Sequence, residues 1–158
     1  MAAQPFRFPV RVYYEDTDAA GVVYYANYLK FMERARTEWL AALGHPLAAF
    51  EREHGVVFVV HRCEIDYHRP ARLNDVLAAT VEVETMGAVR MVVTQRVERV
   101  ERVERVERVE RVERVERDGA DEAELLTSAR VTLACIDAAQ WRPVRIPAPL
   151  VQSLESIA

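Results

Sequence analysis

Glu15, Asp16 and Asp18 fall within four residues of one another in the stretch "YYEDTDAAGVVYYANY". Carboxylates crowded at this spacing hold their protons more tightly, whereas a helix N-terminus nearby favours the ionised form. Small residues follow, and Gly21 lets a ligand approach the backbone closely. An aromatic-rich run then enters a helical pattern. A carboxylate beside unsatisfied helix N–H donors suits attack on a carbonyl whose oxygen becomes an oxyanion. Aspartate ahead of a turn also serves simply as a cap or Asx-turn residue. The local pattern leaves both roles open.

The elements that must position these residues are legible from periodicity. Phe6, Phe8, Val10, Val12 and Tyr14 alternate as in a half-buried strand. From Tyr28 the period becomes helical. Tyr28, Met32, Ala35, Trp39 and Ala42 share one face with Phe31 and Leu43 alongside, and Glu33, Arg34, Thr37 and Glu38 take the other. Asn27 is expected to cap this helix, and Gly44 with Pro46 to stop it. "PLAAFEREHG" reads as a short second helix and "VVFVVHRCEIDYH" as a long strand closed by "RPARLND". "VLAATVEVET" and "VRMVVTQRV" flank Met86-Gly87 as an antiparallel pair, and "ELLTSARVTLACID" is another β-rich run. The tail is proline-broken, with one or two helical turns. One long helix and a run of strands make an α+β domain, the helix on one face of an antiparallel sheet.

Composition narrows the function classes. The chain has 158 residues, 51% hydrophobic and 29% charged, which reads as one soluble domain spanning 1–158. A net charge of −4 argues against a general nucleic-acid binder. No apolar run is long enough to span a membrane, and the N-terminus lacks the pattern of a signal peptide. Cys63 and Cys135 sit in strand-like runs without metal or redox spacing, so two reduced, mostly buried thiols in a cytoplasmic setting are expected. His61 and His68 are an odd number of residues apart and cannot jointly hold a metal from one strand face. His45 and His54 flank the short helix and read as surface residues. No metal and no redox cofactor is expected. Arg62, Arg69 and Arg72 cluster around "HRCEIDYHRPAR", where they could meet phosphates or stand as ordinary surface arginines.

Seven Val-Glu-Arg triplets run from Val97 to Arg117. As a strand, period three conflicts with period two and neither face could be buried cleanly. As a helix the valines form no stripe. Glu–Arg pairs four apart are offset by like-charge pairs three apart, so the repeat does not choose a conformation. Each triplet is neutral, which removes a polybasic role. Excising six triplets leaves "MVVTQRVERDGADEAELLTSARVTL", a strand, an Asp-Gly turn and a strand. The repeat therefore reads as an expansion in a hairpin, without chemistry of its own. Such lengthening costs little because closure entropy grows logarithmically.

"VYYEDTDAAGVVYYANYLKFMERARTEWL", together with "DYHRPARLNDVL" and "SARVTLACID...RPVRIP", closely resembles bacterial hotdog-fold acyl-CoA thioesterases. More narrowly it is similar to the Tol-Pal-associated branch related to the 4-hydroxybenzoyl-CoA thioesterases. The resemblance covers most of the chain outside the repeat. It implies an antiparallel sheet wrapped around one long central helix, and hydrolysis of a thioester on coenzyme A or acyl-carrier protein. In the family pattern D-x-D-x-x-G the second aspartate is catalytic; here that is Asp18, with Gly21 closing the motif. It would act as nucleophile or as base for water. Many members of the branch carry histidine where this chain has Tyr25, a poor general base at neutral pH. Tyr25 is expected to line the site, the Asn27 end of the helix to supply electrostatics, and Arg62 and Arg72 to bind substrate phosphates. A homodimer with sites at the interface, or a homotetramer, is implied. The rival reading is a non-catalytic hotdog scaffold in lipid or cell-envelope metabolism.

Overall fold

The computed structural model describes residues 4–101 and 123–157. Among these residues five strands, β1 (Phe6–Arg11), β2 (Val56–Tyr67), β3 (Val76–Met86), β4 (Arg90–Glu101) and β5 (Glu124–Asp137), make one sheet in the order β1-β3-β4-β5-β2. Every neighbouring pair is antiparallel. The described residues also form three α-helices: α1 (Asn27–Ala42), α2 (Leu47–His54) and α3 (Ala148–Glu155). The α+β expectation therefore stands.

Helix α1 lies against β1, β3 and β4. Its buried residues are Asn27, Tyr28, Phe31, Met32, Ala35, Trp39 and Leu40, so the stripe read from the sequence is the face that packs as far as Trp39, while Ala42 at its end is exposed. Phe31 and Met32 are wholly buried, each contributing about 1.5–3 kcal/mol as an upper estimate. They meet Met91, Val93 and Val97 of β4 and Val131 of β5 in one core. Gly44 takes φ +87° at the helix end, a left-handed conformation that glycine adopts without steric cost, and so terminates α1.

Several expectations are corrected. The first strand ends at Arg11 rather than continuing to Tyr14, which stands exposed in a 3-10 turn over Tyr14–Asp16. The turn is closed by Asp16 N–H to the Tyr13 carbonyl and by Tyr13 N–H to Asp16 Oδ2. Asn27 does not cap α1. It is the first helical residue, and Ala26 before it makes no side-chain cap. Cys63 is exposed rather than buried, because β2 is an edge strand that α1 leaves uncovered; Cys135 is buried as expected. Burial pushes the Cys135 thiol up to about 11. His45 and His54 are half-buried against Phe50 rather than on the open surface.

The repeat enters the fold at its start. Strand β4 runs on through Val97–Glu101, and the β4–β5 ladder shifts register between Val97 and Glu98. Val97, Glu98 and Arg99 are all buried, so the first triplet is accommodated in a strand where clean burial was not expected. The rest of the repeat lies outside the described residues.

Candidate active site

The site grows from a short loop between the Tyr14–Asp16 turn and α1. Thr17 and Val23 form an isolated antiparallel bridge. Inside it, Asp18 N–H donates to Val22 C=O at 2.9 Å and Gly21 N–H donates back to Asp18 C=O at 2.9 Å. Gly21 has φ +76°, the left-handed conformation that closes such a tight loop and that a side chain would strain. Asp18 Oδ1 accepts Ala20 N–H at 2.8 Å, an Asx-turn contact. Among the described residues Oδ2 has no hydrogen-bond partner. The Asp18 side chain is exposed. The turn-forming role and an available carboxylate oxygen thus coexist in one residue.

This loop is tied to the start of α1. The Asp16 carbonyl accepts Tyr24 N–H at 2.9 Å and Asn27 Nδ2 at 2.9 Å. Asn27 therefore works as a buried strut across eleven residues instead of as a cap. Asn27 N–H bonds the Tyr24 carbonyl at 2.8 Å, so the chain turns sharply there. The amides of Tyr25 and Ala26 find no backbone acceptor among the described residues. Donors of this kind at the start of a helix attract developing negative charge.

Aromatic rings gather beside the loop. Tyr25 stacks edge-on with Tyr24 and Tyr67, and Tyr67 also meets Tyr28. Tyr67 Oη donates to the Tyr25 carbonyl at 3.0 Å. Tyr28 Oη accepts Ala71 N–H at 3.0 Å, and burial pushes its phenol above the ordinary tyrosine value, against the lowering effect of that amide. Desolvation also raises Tyr67. Much of this cluster is open: Tyr25 is 59% exposed and Tyr67 44%.

The other expected residues divide. Gly21 bonds the Asp18 carbonyl, Asn27 ties the loop through Asp16, and Tyr25 is held by the Tyr24 and Tyr67 rings. Arg72 lies on the exposed segment after Pro70, where Ala71 C=O receives Val23 N–H at 2.9 Å, and so stands near the loop. Arg62 is not brought in by any described contact. It pairs with Glu64 at 2.8 Å and lies opposite Thr132, whereas its neighbour Cys63 lies opposite buried Val131 on the other sheet face. Arg69 is engaged by Glu124 at 3.0 Å. His68 Nε2 meets Ser128 Oγ at 2.8 Å. Among the described residues no three His, Cys, Asp or Glu side chains are grouped to hold a metal ion. A cavity of about 800 Å³ sits at the other end of α1, between Trp39, Leu43, Val83, Met86, Ile146 and Leu154.

Periodicity did not point to Asp75, Tyr67 or Arg99, although all three hold the surroundings of the loop. Asp75 could have been suspected from "RLND" ahead of a strand. Arg99 could not, being one of seven identical repeat arginines.

A family model described as the Thioesterase superfamily matches residues 20–106, more than half of the chain. The chain belongs to the Thioesterase superfamily. It is an enzyme of the thioester-hydrolase class. The chain is 38% identical over 146 residues to the acyl-CoA thioester hydrolase YbgC of Escherichia coli O6:H1, covering 92% of each chain. It is also 38% identical to the acyl-CoA thioesterase YbgC of Haemophilus influenzae, over 90% of this chain and 88% of that one. Among solved structures, a probable thioesterase from Bartonella henselae is similar at TM-score 0.72 and 28% identity, covering 91% of this chain and all of that one. A 1,4-dihydroxy-2-naphthoyl-CoA thioesterase from Synechocystis shares the fold at TM-score 0.75, with 22% identity and 96% of each chain covered.

Proposed function

We propose that this thioester hydrolase cleaves acyl groups from coenzyme A or from an acyl-carrier protein, with Asp18 as the reacting carboxylate. The observation that carries the reading is the hydrogen-bonded loop that holds Asp18 next to the start of α1, with one carboxylate oxygen unpartnered among the described residues. The thioester carbon would face that oxygen, and its carbonyl oxygen the Tyr25 and Ala26 amides. As the carbonyl becomes an oxyanion, these donors favour the transition state over the ground state.

Two routes use the same geometry. Asp18 attacks the carbonyl carbon, the C–S bond breaks, and water hydrolyses the resulting mixed anhydride. Alternatively Asp18 takes a proton from water, hydroxide adds to the carbon, and collapse expels the thiolate. Both yield acid and thiol. Tyr25 sits where a histidine is common in the similar branch, so neither route uses an imidazole at that position. Gly21 keeps the loop tight, Asn27 holds it against the helix, and Arg72 would meet an anionic part of the substrate. Arg62, paired with Glu64, would need to be released to do the same.

The reading includes a hotdog arrangement, with α1 as the central helix of the sheet, and the Tol-Pal-associated branch of the superfamily. It also includes a homodimer or homotetramer. Among the described residues strand β2 pairs with β5 alone, and Val60, Cys63 and Tyr67 on its helix-side face are exposed, Tyr67 beside Tyr25. A second copy covering that edge would shield the Asp18 loop from water. The two free thiols suit a reducing, cytoplasmic setting. No described helix is long and apolar enough to cross a membrane. The repeat, on this reading, expands the β4–β5 connection within a single domain.

The test is thiol release from acyl-CoA substrates of graded chain length, wild type against Asp18→Asn. Turnover should fall by about 10²–10⁴-fold in the variant. Wild type turning over no faster than Asp18→Asn on every thioester would overturn the assignment of Asp18.

A further inference from the structure

Arg99 closes the first Val-Glu-Arg triplet, yet only 5% of its side chain is exposed. Its guanidinium spans three acceptors. Nε donates to Asp75 Oδ2 at 2.9 Å and Nη2 to the Pro70 carbonyl at 2.6 Å. Nη1 donates to Glu124, whose other carboxylate oxygen is held by Arg69. Lysine could supply the charge but not this fork, because an ammonium is a point donor on a flexible stem.

Two of those acceptors bracket the segment from Pro70 to Asp75, which has no helix or strand of its own. Arg72 N–H donates to Asp75 Oδ2 at 2.9 Å, and Asn74 holds a left-handed φ of +69° inside the turn. Pro70 C=O and Ala71 N–H belong to one peptide group. Its oxygen accepts Arg99 and its hydrogen is taken by Tyr28 Oη at 3.0 Å, so the group is clamped from both sides. The next carbonyl, that of Ala71, accepts Val23 N–H at 2.9 Å. Val23 is the bridge partner of Thr17, and their bridge closes the loop that carries Asp18. An unbroken path therefore runs from the repeat's first arginine to the candidate reacting carboxylate.

We propose that Arg99 is a positioning residue for Asp18, acting through the clamped Pro70–Ala71 peptide and the Ala71–Val23 hydrogen bond. The inference rests on the reading of Asp18 as the reacting group. It gives the first triplet a task in the site, assigned to Arg99 by its place in β4.

Arg99→Lys and Arg99→Met are compared with wild type by thiol-release kinetics and by amide hydrogen exchange on the full chain. With Arg99→Lys, kcat should fall about tenfold to a hundredfold, a larger factor than any rise in KM from a shift of Arg72, since the reacting carboxylate is displaced. Exchange at Val23 should quicken while residues 36–42 of α1 remain protected. Should Arg99→Met fail to fold, Arg99→Lys decides. A folded Arg99→Lys protein with kcat within about twofold of wild type would overturn the positioning role, as would a loss of kcat that only matches its unfolded fraction. Unchanged exchange at Val23 would overturn the clamp itself. If wild type proves no faster than Asp18→Asn, the reading of Asp18 fails instead, and the Val23 exchange result still decides whether Arg99 holds the loop.

Discussion

Asp18 and Asp75 both sit in tight turns, and their surroundings are opposites. Asp18 is exposed and accepts one internal amide, that of Ala20. Asp75 is 2% exposed and accepts Arg99 Nε and Arg72 N–H on a single oxygen. The first arrangement is held almost wholly by main-chain bonds, which leave the carboxylate open to a ligand. The second buries the carboxylate and uses it as a fixed point paired to Arg99. A buried charge must be paired, because losing its partner exposes the full cost of desolvation. An exposed carboxylate thus marks a place for chemistry, and a buried, ion-paired one marks support.

That contrast can be broken in order of effect. The largest change expected is the loss of turnover in Asp18→Asn, with the urea midpoint unmoved; a large drop in stability would make Asp18 a structural residue like Asp75. Next comes Asp75→Ala, which should cost about 3–5 kcal/mol in urea unfolding because Arg99 is left without its buried partner. A cost near zero would show that Glu124 alone suffices for Arg99.

Smaller effects probe the rim of the buried cluster. Burial opposes ionisation of Glu124, but hydrogen bonds from Arg69 and Arg99 outweigh it and hold its carboxyl below the ordinary 4.5. A carboxyl lowered by folding adds stability above its unfolded value and loses it as pH falls through the folded one. Glu124→Gln should therefore flatten the fall of Tm with pH below 4.5, with little change in shape above it. An unaltered acid limb would mean that the ion pair contributes nothing. The smallest effect should come from excising six triplets while keeping Val97–Arg99. On the proposal that the repeat expands the β4–β5 connection, turnover should stay within about threefold of wild type, because closure entropy grows only logarithmically with length. A large loss there would extend the task of Arg99 to the later triplets.

Gln95 helps explain how a repetitive strand keeps its place. It is fully buried, bonds the Met32 and Thr80 carbonyls, and accepts Arg36 Nη1 at 2.7 Å. A slip of β4 by six residues would preserve the triplet pattern but bring Glu101 to that position. An ionised carboxylate facing two carbonyls is strongly disfavoured, so Gln95, two residues ahead of the first triplet, selects its register.

Much was legible before any coordinates. The stripe from Tyr28 to Trp39, the strands on either side of Gly87, the stop at Gly44 and the candidate loop around Asp18 all follow from periods and turn chemistry within a few residues. Such signals are local, and local physics writes them into short stretches of chain. The partnership of Arg99 with Asp75, Pro70 and Glu124, the strut from Asn27 to Asp16, and the openness of Cys63 depend on which segments meet in space. Arg99 carries the same side chain as six others in the repeat, and only its seat in β4, opposite Leu77, sets it apart. The amino-acid order determined a helix, a run of strands and a carboxylate worth watching. The tertiary structure decided which charges are buried and paired and which remain open, because burial is a property of neighbours brought from far along the chain.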